Sequence, residues 1–200
     1  MEHIWQKIDE LRTQYPVLRE DSTPIDVFSF AEIDLKLDPI PFDDLLAKYR
    51  VEAAIKADFT GIYLDAEQYK LMERGPEWKL NRLRFSLAHE LAHFFLHRDL
   101  PQAEHFASLP DFARWTQNYG GRKYTTEQEA NEFAGRLLVP KARLQAYFDE
   151  FEAKVKDPIP NFITSGQLRD QFAEKIGPRF GVNSQVIGVR LDRDSLWSVS

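Results

Sequence analysis

Residues 84–97 read RFSLAHELAHFFLH, and the five residues His89-Glu90-Leu91-Ala92-His93 within them constrain the chain more than any other stretch. Histidines four apart on a helix point the same way, so both imidazoles can reach one metal ion. The glutamate between them is then placed to work on a water held by that ion. On a helical wheel Leu80, Leu83, Leu87, Leu91 and Phe94 fall on one side, with Phe85, Ala92 and Leu96 on another. Between them runs a polar stripe of Arg82, Ser86, His89, Glu90, His93 and His97. A helix apolar on two sides is buried, and buried polar groups need partners, so the stripe calls for a shared ion. His97 continues the series, but three ligands from one straight helix would spread over about 12 Å of axis. We therefore read it as a residue behind the ligands or as a cation near the helix C-terminus.

Composition narrows the choice of ion and of partner. The chain has no cysteine, which excludes disulfides and thiolate ligands and leaves His and carboxylate to hold zinc. Of its 200 residues 43% are hydrophobic, enough for one well-formed core and a small addition. No apolar run approaches the roughly 18 residues that cross a bilayer, and MEHIWQKIDE lacks a signal-peptide core, so the expectation is a cytoplasmic protein without membrane contact. The net charge of −6 is concentrated in residues 1–78, with 17 Asp+Glu against 9 Lys+Arg. That balance lacks the basic footprint of a nucleic-acid binder.

Along the chain, Ile4, Trp5, Ile8 and Leu11 predict an amphipathic helix closed by Pro16. From Pro24 to Pro41 the texture is short and mixed and ends in an acidic, proline-punctuated loop. A short helix is expected over 43–49. Residues 51–57 and 61–64 read as two strands whose edge beside the metal helix would suit an extended peptide or merely support that helix. After Gly75-Pro76, Asn81 or a neighbour is expected to begin the metal helix. The long connection over 99–124 carries Phe106, Phe112, Trp115, Tyr119 and Tyr124, able to wall a cleft or to cover the core.

Residues 125–139 (TTEQEANEFAGRLLV) give the second informative helix, with Thr126 and Glu129 as a capping box and Pro140 at its end. Its stripe of Ala130, Phe133, Ala134, Leu137 and Leu138, extended one turn back, lands on Glu127. Glu129 is taken up by the cap and Glu132 by an i, i+4 pair with Arg136, both on the solvent side. Asn131 shares a face with Glu127 and can hydrogen-bond a ligating histidine from behind. A further helix follows over 141–156, and Asp157-Pro158-Ile159-Pro160 suggests a boundary: a metal domain over 1–160 and a small helical appendage over 161–200. Within the latter, two short helices around Arg179-Phe180-Gly181-Val182 outline a helix-turn-helix. Five basic and four acidic residues between 165 and 196 argue against direct DNA binding by it.

The segments RLRFSLAHELAHFFLH, EQEANEFAGRLLVP and FGVNSQVIGVRL resemble, in order, signatures of the ImmA/IrrE-like metallopeptidases. The resemblance implies an α+β fold, a minimal zincin-like domain with a small sheet, the His-Glu-x-x-His helix and a glutamate-bearing helix. It implies His89, His93 and Glu127 as zinc ligands, Glu90 as catalytic base and Asn131 as their support. Ala92 stands where the family often has Gly, and Asn183 where it usually has Ser. Relatives act inside cells on helix-turn-helix repressors, so an intracellular zinc endopeptidase with a protein substrate of that kind, or an antitoxin, is expected. The rival is a regulatory module that keeps zinc as structure and grips its partner without cutting. The donor to the oxyanion is left open among His105, Tyr119, Arg122 and Tyr124.

Overall fold

The computed structural model describes residues 2–72, 74–99 and 121–197, the side chains of 121–124 excepted. Of the connection expected over 99–124, residues 100–120 lie outside the described residues, as do the side chains of all four oxyanion candidates.

Helix α1 (Glu2–Gln14) buries Ile4, Ile8 and Leu11 and stops ahead of Pro16, as its periodicity predicts. A turn of helix, α2 (Val27–Ser29), is capped by the Asp26 carboxylate, which accepts from the Ser29 amide at 3.1 Å, and runs on as a π-turn over Phe30–Asp34. Next come β1 (Asp38–Phe42), α3 (Leu45–Tyr49), β2 (Ala53–Ile55), β3 (Gly61–Asp65) and α4 (Ala66–Lys70). The three strands form one sheet in the order β1-β3-β2. β1 lies parallel to β3 with Asp38 opposite Gly61 and Phe42 opposite Asp65, and β2 lies antiparallel with Ile55 opposite Ile62.

β1 corrects the loop expected there. The Asp38 amide donates to Thr60 O, so by the alternation of a strand Pro39 and Pro41 face outward, where a missing N–H costs no ladder bond. An edge position is what lets DPIPF be a strand, and its prolines also block further pairing. Gly61 is needed opposite it, because a Cβ there would stand 2.7 Å from Asp38 O.

The two long helices are α5 (Glu77–Leu96) and α6 (Gly121–Leu138), packed closely against each other. α5 begins a turn earlier than Asn81, directly after Pro76, whose ring and φ suit an entry position. α6 starts at Gly121, which corrects the second helix: Thr126 and Glu129 lie within it rather than at its start. α7 (Lys141–Val155) follows Pro140, and α8 (Gly166–Phe180) and α9 (Ser184–Arg193) are joined by Gly181-Val182-Asn183, with Gly181 at φ +62°. These are the two helices expected after residue 165.

The larger of two apolar clusters among the described residues runs from Ile4 through Leu87, Leu91 and Phe133 to Phe172, Ile187 and Trp197, and the smaller joins Leu45 and Ala54. The segment after residue 160, expected as an appendage, thus contributes to the same core as the metal helix. Its aromatic rings explain why: Trp197 packs on Phe148, Phe151, Phe162 and Phe172 with centroids 5.7–6.1 Å apart. Polar ties add to this, since buried Arg190 of α9 reaches Glu132 of α6 at 3.3 Å and Asp194 at 2.5 Å.

Candidate metal centre

α5 and α6 bring His89, His93 and Glu127 together. His89 Nε2 lies 3.3 Å from His93 Nε2 and 3.2 Å from Glu127 Oε2, and His93 Nε2 lies 3.8 Å from Glu127 Oε1. Ligands bound tetrahedrally at roughly 2.0–2.1 Å are separated by about 3.3 Å, so these distances are close to the edges of a zinc-type coordination tetrahedron. Among the described residues this is the one group of three or more His, Asp or Glu side chains spaced to hold an ion. Two imidazole nitrogens facing each other beside a carboxylate fit a cation well.

Each imidazole is held from behind. His89 Nδ1 is 3.0 Å from Asn131 Oδ1, the contact expected from the Glu127–Asn131 spacing. His93 Nδ1 is 2.8 Å from His97 Nδ1, and His97 Nε2 is 3.1 Å from Glu129 Oε2. His97, 5% exposed at the C-cap of α5, thus lies behind His93, on the side away from His89 and Glu127. Glu129 serves His97 and, across to α1, His3 Nε2 at 3.3 Å, which replaces the capping role expected of it. Glu132 does pair with Arg136, but both are buried and also joined to α9, not on the solvent side.

Glu90 is buried beside this cluster, and its Oε2 accepts from the Ile55 amide at 2.8 Å. The Lys56 amide is spent on Gly61 O within the sheet, so the neighbouring Ile55 N–H points off the free edge of β2 toward α5. Burial raises the Glu90 carboxyl to about 7, against the opposing pull of His89 and of that amide. Burial and the His89 charge depress His93 to about 3, with Glu127 opposing. Burial would lower His89 as well, yet Glu127, Glu90 and Asn131 outweigh it and raise the group. The chemistry on offer is a pair of imidazoles and a carboxylate open to an ion, with a second carboxylate poised near neutrality to exchange a proton.

Residues that the sequence leaves silent complete the surroundings. Glu52, directly before β2, takes Arg82 at 2.9 Å and Ser86 at 3.0 Å, so the polar stripe of α5 has partners along its length. A cavity of about 550 Å³ opens between α5, α6 and α9, with Ser86 and Asn131 at the metal end and Val189 and Arg193 at the outer rim. Spacing could find His97, which lies four residues beyond His93; the Ile55 amide and the Glu52 pairings depend on strand placement and carry no motif.

A helix carrying His-Glu-x-x-His, a glutamate from a second helix within coordination reach, and a small sheet edging the first helix define a metallopeptidase-type domain of the zincin kind. Residues 76–192 match the family model of the IrrE N-terminal-like peptidase domain, and the chain belongs to that family. The match begins at the entry to α5 and runs through α9, so it takes in both metal-centre helices. No curated protein matches the chain.

Proposed function

We propose that this chain is a zinc-dependent endopeptidase, with His89, His93 and Glu127 holding the ion and Glu90 as the general base. The observation that carries the reading is the near-tetrahedral spacing of the three ligand atoms beside a buried carboxylate. Bound zinc supplies Lewis acidity toward water and toward the scissile carbonyl. Glu90 takes the proton from the attacking water and passes it to the leaving amine nitrogen. The Ile55 amide holds Glu90 at one oxygen, which fixes the carboxylate without removing its capacity to accept a proton. Asn131 and His97 keep the imidazoles aimed inward. The protein substrate is an intracellular regulatory protein of the helix-turn-helix repressor or antitoxin kind, a reading supported by the family resemblance. Among the described residues no helix is long and apolar enough to cross a membrane.

Two substitutions test the assignment. Glu90→Gln is expected to keep about one zinc per chain while hydrolysis falls on the order of 10²-fold or more. Glu127→Ala is expected to lose zinc itself, since two imidazoles alone hold the ion poorly. A Glu90→Gln protein with full cellular activity would favour the non-cutting module instead.

A further inference from the structure

We propose that His97 and Glu129 are positioning residues for the metal centre, a hydrogen-bonded chain that fixes the tautomer and ring of His93 and extends through His3 to the N-terminal helix. The proposal rests on the reading of His93 as a ligand through Nε2. That nitrogen faces His89 and Glu127, whereas Nδ1 faces His97.

A neutral imidazole that gives Nε2 to an ion carries its proton on Nδ1, so His93 Nδ1–H must donate. The atom it meets, 2.8 Å away, is His97 Nδ1, which must then be the acceptor. His97 therefore carries its own proton on Nε2, and that N–H points at Glu129 Oε2, 3.1 Å away. Glu129 is a carboxylate and only accepts, so the direction of the chain is closed at its far end. Its other oxygen lies 3.3 Å from His3 Nε2. Three elements meet in this sequence of contacts: the end of α5, the middle of α6 and the first turn of α1.

The arrangement on the opposite ligand shows what the chain adds. His89 is held by a single amide oxygen, whereas His93 is held by an imidazole that is itself held by a carboxylate. A histidine backed by a carboxylate through a relay gains basicity as well as orientation, which strengthens its bond to a metal. His97 can do this because it is at the C-cap of α5, where the chain leaves the helix at φ −120° and ψ 6° and the ring turns back onto the preceding turn.

The test needs no activity assay. Long-range 1H–15N spectra of the zinc-loaded, 15N-histidine-labelled protein are expected to show His93 as the Nδ1–H tautomer and His97 as the Nε2–H tautomer. Zinc competition titration should give an affinity loss of about 10- to 100-fold for His97→Ala, the usual scale for losing such a partner. Glu129→Gln, whose amide oxygen can still accept from His97, should stay within a few-fold of the unsubstituted protein, and Glu129→Ala should not. Cobalt-loaded His97→Ala should also change its ligand-field spectrum. A zinc-loaded protein with His97 protonated on Nδ1, or a folded His97→Ala protein with unchanged affinity and spectrum, overturns the proposal. Failure of the unsubstituted protein to bind zinc would instead overturn the ligand assignment beneath it.

Discussion

Three glutamates stand within six positions on α6, and their surroundings give them different work. Glu127 reaches His89 and His93, Glu129 reaches His97 and His3, and Glu132 reaches Arg136 and Arg190. Among the described residues, the fourth carboxylate, Glu90, has only the neighbouring imidazoles as cations to offset its burial in the metal-free protein. Its folded value of about 7 is raised from the ordinary 4.5, so the folded state holds a proton that the unfolded chain releases. The associated stability is present below about 4.5 and is lost as pH rises through about 7. In metal-stripped protein, Glu90→Gln should therefore gain stability over the parent between about pH 5 and pH 8, by at most about 3 kcal/mol, since each pKa unit is worth about 1.4 kcal/mol. Urea unfolding at both pH values in the presence of chelator checks it, and a difference that does not change with pH would remove burial of the charge as the cause. At this scale the sequence is legible where a residue's place follows from helical spacing. His89, Glu90, His93, Glu127 and Asn131 fall where the two helical faces predict, whereas the spacing misleads at Glu129, because Thr126-x-x-Glu129 mimics a helix start inside a helix that begins at Gly121.

Among the elements, the long helices were readable because their apolar stripes repeat over several turns, and β2 and β3 because they are short β-rich runs on either side of Asp58 to Thr60. β1 was not, since two prolines in five residues argue against a strand until an edge position is known. Its pairing depends on one small residue. Gly61→Ala would place a Cβ 2.7 Å from the Asp38 carbonyl, a backbone atom that cannot rotate away. The substitution should cost about 1–3 kcal/mol, as overpacking commonly does, and it should loosen β1 while β2 keeps its contact with α5. Hydrogen exchange distinguishes the outcomes: faster exchange of the β1 amides with slow exchange at Ile55 is expected, and uniform loss of protection would show that the sheet is a single cooperative piece.

Across the whole molecule, the expectation of a separable tail came from Asp157-Pro158-Ile159-Pro160, a break in the backbone that says nothing about what packs beyond it. Phe162, Phe172, Ile187, Leu191 and Trp197 are buried against residues of the earlier helices, and the Arg190 guanidinium is 1% exposed between Glu132 and Asp194. Truncation after Asn161 would strip the apolar cover from Phe148 and leave buried Glu132 without Arg190 and Arg193, two of its three cations. Losing one partner of a buried pair alone costs about 3–5 kcal/mol. The truncated chain should bind a hydrophobic dye and unfold without a cooperative transition, as calorimetry would show; a sharp transition like that of the full chain would restore the two-part organisation. Gly181 adds a steric link, since its positive φ and the Arg84 guanidinium 2.7 Å from where a Cβ would lie bring the α8–α9 turn directly against the metal helix.

The ring cluster that closes this core also makes the protein its own optical gauge. Trp197 is 3% exposed, and its indole nitrogen finds no hydrogen-bond acceptor among the described residues, while Trp5 and Trp78 are 43% and 51% exposed. An indole in so dry a setting emits to the blue of two in water, and four phenylalanine rings around it give it a strong dichroic band. The seating of the tail over α5 and α6 is thus written into the near-ultraviolet signal of the unlabelled molecule.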